Sequence, residues 1–419
     1  VSGPLWAPAP EQIARANLTR FIEAARERGA ASVRDYPTLY EWSIVNPAAF
    51  WSELWRFCDV VADRSRDGAA WRSVLVGGDR MAPPNPTEGP RWFDGAALNY
   101  AENLLRFRDD RAALVSWNEL GRQRRLSFAE LHDEVMRLAS ALKSHGVRAG
   151  DRVAGFMPNI PEATIAMLAT AALGAIWSSC SPDFGVQGVL DRFGQIEPRV
   201  LFCADGYRYS SKEIDCLRTV TGIVQRITSI ERVVVVPYLA DAPDIRGVPR
   251  ATLYESFLAE GAGSGVSEFA RLPFDHPLFI MYSSGTTGLP KCMVHGAGGT
   301  LLQHQKEHVL HCDLTRDDCV FYFTTCGWMM WNWLVSALAV GATVVLYDGS
   351  PLLRGRPILW EMAEAERITT FGTSAKWLAL AEKEGLEPHA THDLPALRSI
   401  LSTGSPLAAH SYDYVYDKV

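Results

Sequence analysis

Phe128, Leu131, Val135, Leu138 and Leu142 recur at spacings of three and four, the period of a helix with one buried face. Ser127-Phe128-Ala129-Glu130 just ahead of them is a capping box, in which the serine hydroxyl accepts from a first-turn amide and the glutamate reaches back. Gly146 follows the last apolar position as a stop. The pattern then predicts a strand over 152–157, a helix from about Pro161 with Asn159 as a candidate cap, and strands over 175–178, 200–204 and 232–238. Further strands are predicted near 278–282, 320–323, 343–347, 369–371 and 400–402. From Ala112 onward this alternation is the signature of parallel βαβ units, so the fold class is α/β.

Three stretches depart from the alternation. Residues 1 to about 110 are rich in tryptophan (Trp6, Trp42, Trp51, Trp55, Trp71, Trp92) and show little period-two patterning, which predicts a mostly helical cap. The weakly polar run 163–177 is broken by Thr164, Thr170 and Gly174 and is shorter than the ~20 residues that span a bilayer, so it predicts a buried helix. Gly261-Ala262-Gly263-Ser264-Gly265 has no large apolar side chain to anchor it and predicts a linker. The expected division is therefore 1–110, 111–265 and 266–419.

Composition bounds the function. A chain of 419 residues exceeds the ~100–200 of a common single domain, and 47% hydrophobic with 21% charged residues is ordinary for a soluble globular protein. A net charge of −7 argues against a phosphate-backbone partner. Eight scattered cysteines read as reduced, intracellular usage, and the opening residues lack the basic and apolar regions of a signal peptide, so the expected compartment is the cytoplasm.

The strongest chemical signal is Tyr282-Ser283-Ser284-Gly285-Thr286-Thr287-Gly288-Leu289-Pro290-Lys291, fed directly by the apolar run 278–281. Small residues let backbone amides approach an anion, hydroxyls add donors, and the lysine supplies positive charge where phosphate charge develops. The glycine spacing is not that of a Walker loop, and a Ser/Gly-rich surface hairpin is the plain alternative. His304-Gln305-Lys306-Glu307-His308 fits the H-x-x-E-H pattern of inverted zinc peptidases, with an ordinary helix face as its plain alternative.

Ser283-Ser284-Gly285-Thr286-Thr287-Gly288-Leu289-Pro290-Lys291 closely resembles the phosphate-binding signature of the adenylate-forming superfamily. Leu126–Leu131 and Leu168–Ser178 resemble further motifs of that family in the right order, so the resemblance covers nearly the whole chain. Trp92-Phe93-Asp94-Gly95 with Leu98-Asn99-Tyr100-Ala101-Glu102-Asn103 resembles the N-terminal extension of the short-chain acyl-CoA synthetases. Cys326-Gly327-Trp328-Met329-Met330-Trp331 is most similar to the acetoacetyl-CoA synthetase branch.

The resemblance implies the large N-terminal domain of an adenylate-forming enzyme, with the small C-terminal domain outside this chain. It implies a ligase that activates acetoacetate with ATP and Mg2+ and passes the acyl group to CoA, with acetate or propionate as alternative acids. Lys291 and Thr286 are the implied catalytic residues, and Ser283, Ser284, Gly285, Thr287 and Gly288 hold phosphate with them. Gly404, Ser405 and Pro406 would line the adenine pocket. Trp328, Met329, Met330, Trp331, Phe371 and Gly372 would line the acyl site, and Ser374 beside them reads equally as a helix cap. No resident metal ligand is implied in this chain. The family's Mg2+-holding acidic motif, its ribose-binding aspartate and its adenylation lysine would lie past Val419, so these 419 residues alone are expected not to turn over. The readings of another class are a zinc metallopeptidase built on His304, Glu307 and His308, and a non-catalytic nucleotide-binding fragment.

Overall fold

The computed structural model describes residues 4–64, 68–79, 89–261, 265–283, 288–353 and 355–419. The N-terminal segment is mostly helical, as its aromatic sequence predicts: α1 (Pro10–Arg15), α2 (Asn17–Glu27), α3 (Tyr36–Val45) and α4 (Pro47–Phe57) precede β1 (Ser73–Val76) and β2 (Arg91–Asp94), an antiparallel pair. Its tryptophans fasten it to the body. Trp55 packs on Phe93 at 4.7 Å between ring centroids, and Phe93 packs on Phe274 at 4.9 Å. After β3 (Ala97–Leu98), buried Asn99 caps α5 (Tyr100–Leu104) by accepting from the Ala101 amide at 2.9 Å. Its Nδ2 donates to the Ala171 and Ala270 carbonyls, at 3.0 Å each.

β4 (Ala112–Asn118) and β5 (Gly121–Ser127) form an antiparallel hairpin, which corrects the expectation of parallel units from Ala112 onward. α6 (Phe128–Ser144) then starts where the capping box places it. Glu130 N donates to Ser127 Oγ at 3.1 Å and Ser127 N donates to Glu130 Oε2 at 2.8 Å. Gly146 ends it at φ +79°, a conformation that favours glycine. Ser127→Ala is expected to lower the unfolding free energy by about 1 kcal/mol; a denaturant midpoint unchanged from wild type would show that the cap contributes nothing.

βα alternation follows: β6 (Arg152–Phe156), α7 (Pro161–Ala172), β7 (Ile176–Cys180), α8 (Val186–Ile196), β8 (Val200–Ala204), the small hairpin β9 (Gly206–Tyr209) and β10 (Lys212–Asp215), α9 (Leu217–Val224), β11 (Arg232–Val236), β12 (Ala251–Leu253) and α10 (Tyr254–Glu260). After β13 (Leu272–Pro273) come β14 (Pro277–Ser283), β15 (Lys291–Gly296) and α11 (Ala297–Gln305), which runs on as a π-helix over Lys306–His311. The chain finishes with β16 (Cys319–Tyr322), α12 (Met329–Ser336), β17 (Thr343–Asp348), α13 (Ile358–Ala365), β18 (Thr370–Ser374), α14 (Ala375–Lys383), α15 (Pro388–Thr391), β19 (Ser399–Thr403) and α16 (Ala409–Lys418).

Two sheets result. One has seven strands in the order β12-β11-β8-β6-β7-β14-β15, the other six in the order β19-β18-β16-β17-β4-β5. Both are parallel except at one edge, where β15 and β5 run antiparallel to their neighbours. Period-two burial explains the layering. In the first sheet Leu201, Cys203, Val233 and Val235 face α8 and α9, while Phe202 and Val234 face a central core that also holds α6 and α7. In the second, Val320, Tyr322, Val344 and Leu346 face that same central core, while Phe321, Val345, Tyr347 and Phe371 face α13 and α14. The helices between the sheets thus lock both to one body.

Three further expectations are corrected. The buried helix read over 163–177 ends at Ala172; the chain turns at Gly174 (φ +75°), and Trp177 belongs to β7. Asn159 does not cap α7, whose N-cap is Ile160 without a side-chain bond. Gly261 is no loose linker: it is buried at the end of α10, where an added Cβ would overlap the Ala141 backbone. Residues 262–264 of that stretch lie outside the described residues. All eight cysteines are free thiols, but Cys292 is exposed despite its apolar neighbours, because β15 is an edge strand. Among the described residues no helix is long and apolar enough to cross a membrane.

Candidate functional site

Parallel strands end in a row of loops, and ligands of such sheets bind beyond their carboxyl ends. β14 delivers the chain to Ser283 and β15 takes it back from Lys291, its direct pairing partner. The Ser/Gly/Thr segment is therefore the connection of a hairpin; Ser284, Gly285, Thr286 and Thr287 lie outside the described residues. Of its flanks, Ser283 is half-buried, Gly288 turns at φ +108°, and Lys291 is exposed at the start of β15. Gln195 of α8 donates from Nε2 to the Pro290 carbonyl at 2.9 Å and pins the returning limb.

The second sheet contributes the ends of β16, β18 and β19. Tyr322 Oη donates to the Thr373 carbonyl at 3.1 Å and lies 2.8 Å from Thr403 Oγ1, joining all three strand ends. Gly372 makes this possible, because an added Cβ would overlap the Tyr322 ring. What approaches its backbone is that ring. Phe371 points to the opposite face and stacks on Trp360 at 4.6 Å, fully buried. Ser374 caps α14 by accepting from the Trp377 amide at 3.2 Å. Gly404 follows β19 at φ +89°, with Ser405 and Pro406 exposed beside it.

Between the two sheets runs the segment from Cys326 to Trp331. Ser179 Oγ of β7 donates to the Cys326 carbonyl at 2.6 Å, so this segment is tied to the strand beside the β14–β15 hairpin. Trp328 and Met329 are 63% and 45% exposed where α12 begins, and Met330 is half-buried. Trp331 is fully buried and donates from Nε1 to Asn159 Oδ1 at 2.9 Å. Asn159 in turn donates to the carbonyls of Thr324 and Tyr347, at 3.4 Å each. Asn159→Ala should thus cost about 1–3 kcal/mol, since it strands a buried indole N–H; equal thermal unfolding midpoints for variant and wild type would contradict this.

A second polar link between the sheets is acidic. Tyr238 Oη donates to Asp348 Oδ2 at 3.0 Å, and burial pushes the Asp348 carboxyl up to about 6 from its usual 3.8. The folded protein then binds this proton more tightly than the unfolded chain. Its contribution is complete below about pH 4 and is lost as pH rises through about 6. Asp348→Asn is expected to stabilise the protein at pH 8 relative to wild type, by about 2 kcal/mol, and to remove the slope between pH 4 and 6. Unfolding curves of both proteins across that range are the check, and parallel pH profiles would contradict it.

The zinc-peptidase pattern is corrected by its surroundings. The π-helix breaks the α-helical spacing between His304 and His308. Glu307 accepts from Trp333 Nε1 at 2.8 Å and from Gln303 Nε2 at 2.7 Å, and His308 Nε2 lies 3.0 Å from the Trp333 carbonyl. Burial pushes His304 down to about 3 and His308 down to about 4, so both are neutral. Among the described residues no three metal-ligating side chains converge. Sequence reasoning missed Ser179 and Tyr322, whose only signal was polarity inside or next to apolar runs, and read Asn159 as a helix cap rather than as the partner of Trp331, Thr324 and Tyr347.

Comparison with known proteins adds the following. The AMP-binding enzyme family matches residues 101–418, and the acetyl-coenzyme A synthetase N-terminus family matches residues 36–104. An acetoacetyl-CoA synthetase of Gallus gallus is 46% identical over 99% of this chain and 61% of its own length. One of Rhizobium meliloti is 47% identical over 99% of this chain and 62% of its own. A malonamoyl-CoA synthetase of Penicillium aethiopicum is 39% identical over 94% and 57%. The solved structure of an acetoacetyl-CoA synthetase from Streptomyces lividans superposes with a TM-score of 0.90 at 42% identity, covering 99% of this chain and 62% of that one. The chain thus spans about 60% of the length of the curated relatives it matches.

Proposed function

The chain belongs to the AMP-binding enzyme family, and from that membership we propose that the whole protein is an acid:CoA ligase whose acid is acetoacetate. The observation that carries the substrate is the 46–47% identity, over nearly all of this chain, to enzymes named for acetoacetyl-CoA. The malonamoyl relative supports it, since both acyl groups have a carbonyl at the third carbon.

The chemistry follows from the poor reactivity of a carboxylate. Its oxygen attacks the α-phosphate of ATP, pyrophosphate leaves, and the acyl-adenylate passes its acyl group to the CoA thiolate with release of AMP. The first step needs positioning and charge stabilisation rather than a protein nucleophile. Lys291, Thr286 and the loop from Ser283 to Gly288 would hold the leaving pyrophosphate, Gly404 to Pro406 would meet the adenine, and Trp328 to Met330 would rim the acid. Mg2+ would arrive with the nucleotide, since among the described residues no three metal-ligating side chains converge to hold it. Residues 1–110 would serve as cap, while 111–265 and 266–419 each supply strands to both sheets, β4 and β5 of the former joining the six-stranded sheet and β14 and β15 of the latter the seven-stranded one. Free thiols throughout support a cytoplasmic setting.

Acetoacetate-dependent ATP–pyrophosphate exchange by the full-length protein is the test. Exchange with acetoacetate above that with acetate or propionate is expected; no exchange with any short acid would defeat the reading.

A further inference from the structure

Glu307 and His308, the last two residues of the H-x-x-E-H pattern, meet on one partner. Both lie on the π-helix, a form that occurs mostly as a single turn inside an α-helix and frequently at functional sites. Their partner is Trp333 of α12. The Trp333 indole Nε1 donates to Glu307 Oε2 at 2.8 Å, and Gln303 Nε2 donates to the other carboxylate oxygen at 2.7 Å. His308 Nε2 lies 3.0 Å from the Trp333 carbonyl, and the two rings pack at 4.2 Å between centroids.

That carbonyl needs donors from outside the helix ladder. At the end of α12 the Ala337 amide donates to the Leu334 and Val335 carbonyls instead, as the last carbonyls of a helix are commonly left open. Ser336 Oγ, at 2.6 Å, and His308 complete it. Neutral His308 carries one N–H; its Nδ1 has no partner and a carbonyl only accepts, so the hydrogen is on Nε2. Trp333 is 5% exposed and stands edge-on to Tyr322 at 6.0 Å, the residue that joins the ends of β16, β18 and β19. Met329 is four residues before Trp333, one turn along the same helix face, and Trp328 precedes it. The exposed pair at the start of α12 is thus carried by a helix gripped one turn further on. Trp331, bonded to Asn159, holds another side of the same helix.

We propose that Glu307 and His308 are positioning residues for the acid: by holding both polar ends of Trp333 they fix α12, and with it Trp328 and Met329, between the two sheets. They act through Trp333. This rests on the reading of Trp328 to Met330 as the rim of the acetoacetate site.

The experiment measures ATP–pyrophosphate exchange by the full-length protein, varying acetoacetate and ATP in turn, for wild type, Glu307→Leu, His308→Leu and Trp333→Phe. Each variant should raise the KM for acetoacetate about tenfold and leave the KM for ATP within about twofold, because a shifted rim misplaces the acid and not the nucleotide. A smaller folded fraction lowers the apparent kcat and moves neither KM, so misfolding does not imitate the result. Glu307→Gln keeps an oxygen for the indole and His308→Gln an N–H for the carbonyl, so both should stay within about threefold of wild type. Trp333→Phe keeps an aromatic ring and drops the indole N–H, and it serves where a leucine variant does not fold. An unchanged acetoacetate KM, equal rises for both substrates, or glutamine variants as impaired as the leucine ones would overturn the assignment while leaving acetoacetate as substrate. A wild type without acetoacetate-dependent exchange would overturn the substrate and the assignment together.

Discussion

Lys291→Ala in the full-length protein should slow acetoacetate-dependent ATP–pyrophosphate exchange about 100- to 1,000-fold, mainly in kcat. The expectation follows from where the residue sits. Lys291 is exposed on the first residue of an edge strand, opposite Ser283, and makes no salt bridge among the described residues. Its removal therefore leaves no buried group stranded and should barely change stability. On the proposed chemistry, negative charge would grow on the departing pyrophosphate, and an ammonium fixed by the hairpin would favour that state over bound ATP. A loss confined to KM would mean that Lys291 only binds nucleotide. A rate within threefold of wild type would remove it from the chemistry.

The largest structural effect is expected at Gly372. An added methyl would overlap the Tyr322 ring, which is itself buried in the central core. Neither the strand nor the ring can move without disturbing β16 and β18, so Gly372→Ala should cost about 3 kcal/mol, at the upper end for overpacking. It should also pull Tyr322 Oη away from Thr373 and Thr403, and activity should fall beyond what the unfolded fraction explains. Tyr322→Phe separates the two effects, removing the hydroxyl without crowding and costing about 1 kcal/mol. If Gly372→Ala unfolds at the wild-type midpoint, the close packing described here is wrong.

How much of this was legible in the sequence depended on whether the signal was local. The capping box at Ser127 and the five-residue apolar face of α6 need only their own neighbours, and both stand as read. So do the short strands, because full burial on two faces demands runs such as Val233 to Val236. The hairpin β4–β5 was missed because β5, Gly121–Ser127, is an edge strand with exposed arginines and no alternating apolar face. Asn159 looked like a helix cap in sequence, but its partners are Trp331, Thr324 and Tyr347, more than 160 residues away. No local pattern encodes such a contact. The glycine at 261 looked flexible for the same reason, since its close neighbour Ala141 lies on a distant helix.

The candidate site divides in the same way. The Ser/Gly/Thr motif resembles its family in consecutive residues, whereas the burial of Trp331 and Phe371 depends on which face of a helix or strand meets the other sheet.

The central claim is that the connection between β14 and β15 receives the triphosphate tail of ATP. A crystal structure of the full-length protein with a non-hydrolysable ATP analogue tests it most directly. The account predicts β- and γ-phosphate oxygens within hydrogen-bonding reach of the loop amides and of Lys291 Nζ. Phosphates bound elsewhere, with that connection turned away from them, would contradict it.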